Sequence, residues 1–192
     1  MIFGEPYAIS DPLDRIDSIT IRTKFSYGLG ALGKDFACSI VYLFLMYYYT
    51  DVAGVPAAFV GTLFLVVRMI DAVSDPVMGM IVDNTRSRFG KFRPWIVLGT
   101  VINSLALLAL FSAHLFSGSQ LLLFITVTYI VWGLTYTIMD IPFWSMVPAL
   151  SAHREERERL VVWPRLFASI AWTAVGTYGL ASIAFLGEGD EG

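Results

Sequence analysis

Five long apolar stretches, separated by short polar interruptions, dominate the pattern of this chain. They lie near 25–50, 57–82, 95–116, 121–150 and 160–186. Between them stand TDVAGVP (50–56), DNTRSRFGKFRP (83–94), SGSQ (117–120) and SAHREERER (151–159), and GEGDEG closes the chain. Each stretch reaches the roughly 20 residues that a helix needs to cross a hydrocarbon core of about 30 Å. The pattern predicts five transmembrane helices, joined by connections short enough to favour antiparallel neighbours. SAHREERER reads as a solvated connection between the fourth and fifth spans.

The basic residues orient these spans. Arg15, Arg22 and Lys24 precede the first; Arg86, Arg88, Lys91 and Arg93 lie between the second and third; Arg154, Arg157 and Arg159 lie between the fourth and fifth. The other connections hold no Lys or Arg. Cytoplasmic flanks are enriched in these residues, so the chain is expected in a plasma (inner) membrane with its amino terminus inside and its carboxyl terminus outside. The expected division is a polar cytoplasmic tail at 1–23, a transmembrane bundle at 24–186 and an external tail at 187–192.

Composition agrees with a lipid solvent: 56% of the residues are hydrophobic and 15% aromatic, and the mean hydropathy is +0.67, too apolar for an ordinary soluble domain. The net charge of -3 is spread over loops, without the clustered basic face that nucleic acid requires. The single Cys38 supports neither a disulfide framework nor a thiolate metal cluster. The acidic start lacks the basic and short apolar regions of a signal peptide.

Against this background the charges inside the spans stand out: Lys34, Asp35, Arg68, Asp71, Asp75, Asp140 and Arg165. Each costs at least about 2.5 to 3.5 kcal/mol to insert, so each is a functional candidate. At 1.5 Å per residue, Asp35, Asp71, Asp75 and Asp140 all fall roughly 10 to 16 Å into their helices, converging near one level, while Arg165 enters only about 8 Å. Residues three and four apart share a helix face. Arg68, Asp71 and Asp75 therefore lie on one side of the second span, and Tyr136, Asp140 and Trp144 on one side of the fourth, with Thr137 three residues before Asp140.

Pro76 and Pro142 each free a backbone carbonyl, at Ala72 and Ile138. Oxygen donors beside carboxylates suit a small hard cation. Four acids against three bases leave one negative charge for such an ion to balance. Asp71, Asp75, Thr137 and Ser74 are the expected cation ligands, with Na⁺ held at Asp71, Asp75 and Thr137 if sodium is the coupling ion. Trp132, Tyr42 and the run Tyr47 to Tyr49 read as packing or interfacial aromatics, and His114 is given no role.

Two short words mislead. GLGALGKD (28–35) has the spacing of a dinucleotide fingerprint and most of a phosphate-binding loop, but both need a preceding strand, and Asp35 stands where the loop needs Ser or Thr. Its glycines read better as a small-residue stripe for close helix approach. GEGD (187–190) has the form of an intramembrane protease motif, without the partner aspartate such a site needs.

The words around the buried charges carry a family resemblance. KFSYGLGALGKDFA (24–37), MYYYTD (46–51), GTLFLVVR (61–68), DAVSDP (71–76), RSRFGKFRPW (86–95), FSAHLF (111–116), YTIMDIPFWSMVP (136–148) and PRLFAS (164–169) closely resemble the melibiose carriers among the glycoside-pentoside-hexuronide:cation symporters. The resemblance implies an all-α major-facilitator fold of twelve helices in two halves, of which these five belong to the amino-terminal bundle. It also implies symport of a melibiose-like galactoside with Na⁺ or H⁺, Li⁺ being a further candidate. No organic cofactor and no enzymatic activity are implied.

By the same resemblance Asp35 and Asp140 accept sugar hydroxyls, Trp144 stacks on the galactosyl ring, and Lys34, Tyr136 and Arg165 complete the sugar site; Asp71, Asp75 and Thr137 match the cation site. Ser74 stands where the family often has Asn, which weakens the case for Na⁺ over H⁺. The expected partners are a small glycoside, a monovalent cation, the lipid bilayer and the missing carboxyl-terminal half or another membrane chain. A different class of reading takes the chain as a non-transporting truncated membrane protein or an interaction scaffold.

Overall fold

A helix built almost wholly of apolar residues satisfies its backbone internally and needs no water, which is what lipid demands. The computed structural model describes residues 19–151 and 153–186, and helices account for all five apolar stretches. α1 (Ile21–Tyr47) runs on through a π-helical turn at Tyr48–Val52. α2 (Ala57–Asn84), α3 (Arg93–Leu110), α4 (Gly118–Leu150) and α5 (Arg154–Leu186) follow. Among the described residues these five are long and apolar enough to cross a membrane. Residues 1–18 of the tail, the external tail at 187–192 and the GEGD word lie outside the described residues.

The outer surface carries the mark of a lipid solvent. Leu65, Met69 and Val73 of α2 and Leu105 and Leu108 of α3 are each 62–68% exposed, a surface that water would not tolerate. Hydroxyls on the same helices turn back on their own carbonyls: Thr62 Oγ1 donates to Ala58 O at 2.8 Å, and Ser104 Oγ to Thr100 O at 2.8 Å. They meet lipid already paired.

Two boundaries differ from the expected ones. α3 stops at Leu110 rather than near 116, because the chain turns there into a short 3-10 segment, Ala113–Leu115. Tyr48 takes over the freed backbone groups, donating its hydroxyl to Phe111 O at 2.8 Å and accepting the His114 N–H at 3.4 Å. α5 begins at Arg154 rather than near 160, so most of SAHREERER is helix rather than a connecting loop, though most of its side chains are exposed. Its Arg and Glu residues are good helix formers, and Arg154 pairs with Glu158 one turn on, at 2.9 Å. Glu156 is buried: it accepts the Ser151 hydroxyl at 3.0 Å and the Ile19 N–H at 3.1 Å. Polarity there marks the end of the apolar span, not the end of the helix.

Helix pairing follows small residues more than chain order. α1 packs along α5, α3 along α4, and α2 against α4. Of these three, α3 with α4 is the antiparallel consecutive pair that short connections suggest, with a smaller consecutive contact between α4 and α5; α1 with α5 and α2 with α4 run parallel. A Cβ on Gly28 would lie 2.6 Å from the Phe167 ring, one on Gly179 2.5 Å from Phe44, and one on Gly99 2.8 Å from the backbone nitrogen of Met139. At these positions α1 approaches α5 and α3 approaches α4 too closely for a side chain to fit without displacement. The glycine stripe of α1 is shorter than expected, since Gly33 faces nothing within 4 Å.

Two buried clusters result. One joins Leu45, Tyr49, Val67, Leu110 and Trp132. The other joins Tyr27, Ala31, Phe143, Val147 and Leu160 near the opposite ends of the helices. The buried charges lie between them along α1 and α4.

Candidate functional site

Lys34 is deeply enclosed among the charges within the spans, its side chain only 6% exposed. Its Nζ lies 3.0 Å from Asp35 Oδ2 and 2.8 Å from Asp140 Oδ1, and donates to the Tyr136 hydroxyl at 3.4 Å. The rings of Tyr136, Phe143 and Trp144 surround the ammonium at 5.4 to 5.7 Å. One turn of α4 separates Tyr136 from Asp140 and another separates Asp140 from Trp144, so a single helix face delivers a hydroxyl, a carboxylate and an indole. A lone buried ammonium would be expensive. Shared between two carboxylates it is stabilised, and the pair retains lone pairs that can accept further hydrogen bonds.

The second cluster joins α2 to α4. Thr137 Oγ1 donates to Asp75 Oδ1 at 2.9 Å. One turn earlier on both helices, Asp71 faces Gly133, where a Cβ would stand 3.4 Å from Asp71 Oδ1. The helices are parallel and offset by 62 residues, so the spacing of Asp71 and Asp75 repeats in Gly133 and Thr137. Arg68 Nη1 lies 3.3 Å from Asp71 Oδ2, and its guanidinium sits 5.3 Å over the Tyr42 ring. The other oxygen, Asp71 Oδ1, is buried without a hydrogen-bond partner among the described residues.

An orphaned carboxylate oxygen, a second carboxylate bonded among the described residues only to a hydroxyl, and that hydroxyl form a hard, all-oxygen donor set. It fits a small monovalent cation.

Two candidates stand apart. Ser74 donates its hydroxyl to Asp71 O at 3.3 Å, spending its proton on its own helix rather than on Asp75. Arg165 lines an open groove with Pro148, Arg157 and Glu158, and among the described residues it forms no ion pair with Asp35 or Asp140. With Arg165 elsewhere, the four central carboxylates have, among the described residues, only Lys34 and Arg68 beside them, a larger negative surplus than the sequence count implies. Pro76 and Ala72 are exposed on α2, whereas Pro142 is fully buried.

Sequence reasoning missed Gly133, Tyr42 and Phe143. Gly133 was findable, since it lies one turn before Thr137 on the same face. Tyr42 carries no signal in sequence, because only packing brings it over Arg68. Trp132, by contrast, is a core residue, 1% exposed and stacked between Tyr129 and Tyr136.

Residues 26–190 match the family described as MFS/sugar transport protein. The chain is 35% identical over 151 residues to an inner membrane symporter of Escherichia coli, the match covering 79% of this chain and 33% of that protein. It is 35% identical over 170 residues to an isoprimeverose transporter of Lactiplantibacillus pentosus, covering 86% and 35% of the two chains. To a glucuronide carrier protein homolog of Escherichia coli it is 37% identical over 160 residues, covering 80% and 34%. The chain spans about a third of the length of these relatives.

Proposed function

We propose, from the premise that this chain belongs to the MFS/sugar transport protein family, that it forms one wall of a cavity through which a glycoside is carried by symport with a cation. Its five helices are an amino-terminal bundle of the major-facilitator fold, in a multi-pass membrane protein. The observation that carries the reading is the double use of α4. Consecutive residues face two different partners: Tyr136 meets Lys34 of α1, and Thr137 meets Asp75 of α2.

In this reading Asp35 and Asp140 accept sugar hydroxyls while Lys34 holds them in place and donates. Trp144, half-buried beside them, offers its face to the apolar side of a pyranose ring. Asp71, Asp75 and Thr137 take the cation. A cation there offsets the negative surplus and fixes Thr137 on α4, so that each ligand favours the arrangement that binds the other. Ser74, with its proton committed to its own helix, leaves one oxygen acceptor facing the neighbourhood and favours no particular cation. Arg165 lines a separate groove beside Pro148 and Arg157, and its part in holding the sugar rests on the resemblance alone. Melibiose-like galactosides are the first substrates to test, and isoprimeverose and glucuronides follow from the named relatives.

The test is calorimetry on the purified full-length protein with a nitrophenyl galactoside, with and without Na⁺. Asp140→Ala is expected to abolish glycoside binding while Na⁺ still binds. Undiminished glycoside affinity in that variant would sink the assignment.

A further inference from the structure

The arginine-rich end of the bundle holds a crevice of about 600 Å³ that the transport reading leaves unused. It opens between the first turns of α1 and α3, with Arg22 on one side and Arg93 on the other. Ser26 adds a hydroxyl, and the wall is apolar: Val97 and Leu150 stand exposed at the mouth beside Met146, with Tyr27 and Phe143 buried behind them. Among the described residues no carboxylate lines it, and neither arginine is in an ion pair. The nearby Lys91 is already engaged by Asp83 at 2.7 Å.

A cationic rim over an apolar wall selects against most occupants. A soluble anion would use the guanidinium groups and leave the wall uncovered. A neutral lipid would cover the wall and leave two guanidinium groups without an acceptor. An anionic phospholipid satisfies both, because guanidinium binds phosphate oxygens in a two-pronged fork, and basic recesses between transmembrane helices suit anionic headgroups. We propose that this crevice binds an anionic phospholipid, its headgroup phosphate between Arg22 and Arg93 and an acyl chain along Val97, Met146 and Leu150.

The placement has a mechanical consequence. α1 is paired with α5 and α3 with α4, while α1 and α3 meet over only a short stretch. A phosphate shared by Arg22 and Arg93 ties the two helix pairs together at this end.

The test uses the full-length protein in detergent, titrated with phosphatidylglycerol or with phosphatidylcholine of the same chains, followed by native mass spectrometry and thermal unfolding. Phosphatidylglycerol is expected to stay bound and raise the melting temperature; phosphatidylcholine and inorganic phosphate are not. Replacing Arg22 and Arg93 by Gln weakens phosphatidylglycerol binding about fivefold for each arginine removed, equivalent to ~1 kcal/mol each. Arg86→Gln with Arg88→Gln removes the same charge from the neighbouring loop and leaves binding intact. Leu150→Glu, which keeps both arginines but puts a carboxylate at the mouth, loses the lipid as well and serves if the double variant does not fold.

Equal weakening in the loop variant, or equal retention of phosphatidylcholine, would overturn the proposal. So would an absence of any phosphatidylglycerol shift together with a lipid-independent loss of stability on replacing Asp11, Asp14 and Asp17 by Asn, which would seat the acidic tail there instead.

Discussion

Among single residues, Lys34 has the largest role, because two carboxylates depend on it. Lys34→Ala leaves Asp35 and Asp140 facing each other without a cation, and breaking a buried pair from one side costs about 3 to 5 kcal/mol. Asp35→Asn leaves the 2.8 Å pair of Lys34 with Asp140 in place and is expected to be far milder. Thermal unfolding in detergent should rank Lys34→Ala well below Asp35→Asn; the opposite order would mean the ammonium is not the organising charge. At the second cluster, Thr137→Ala removes the only hydroxyl seen on Asp75 and is expected to weaken Na⁺ binding about tenfold, the net worth of one hydrogen bond to a charged group. Asp75→Cys should remove binding altogether in the same titration, and an unchanged Na⁺ affinity would take Asp75 out of the site.

For the helices as elements, glycine position decides what each one touches. Gly99 lets α3 approach the backbone of α4 at Met139, where no side chain can move aside. Gly99→Ala therefore has to push the helices apart and is expected to lower stability by about 1 to 3 kcal/mol. Gly33 has the same residue type in the same kind of helix with open space around it, so Gly33→Ala should be neutral or stabilising by up to about 1 kcal/mol, the helix-propensity difference. Melting temperatures of the two variants side by side test whether close approach, rather than glycine content, sets the packing. α4 matters most as an element because its turns from Gly133 to Trp144 serve both clusters, and any tilt of it moves both.

Whole-molecule behaviour follows from the alternation of basic loops. With five spans and arginines beside alternate ends, Ser87→Cys is expected to react with a membrane-impermeant maleimide only from the cytoplasmic side, and Ser119→Cys only from outside. Cys38 is buried and should stay silent in both. Labelling of both positions from one side would overturn the orientation. The exposed apolar face of α2, from Leu65 to Ile81, is compatible with lipid or with further helices of a longer carrier, as the relatives' greater length allows.

The spans, their number and the residues worth suspecting were legible in the sequence, because a lipid solvent imposes its demand locally: about 20 apolar residues per crossing, and a reason for every charge that breaks the run. Asp71 with Arg68, and Tyr136 with Asp140 and Trp144, were legible for the same reason, since helical spacing is a local rule. What only the tertiary structure decided is which helices meet. That Lys34 serves Asp140 as well as its neighbour Asp35 depends on where α1 meets α4, that Thr137 bonds Asp75 and Asp71 lies against Gly133 depends on α2 and α4 packing in parallel, 62 residues out of step, and the groove that holds Arg165 depends on where α5 meets the end of α4. Such packing arises from the fit of glycines against rings and backbone, and neither hydropathy nor spacing along one helix encodes that fit.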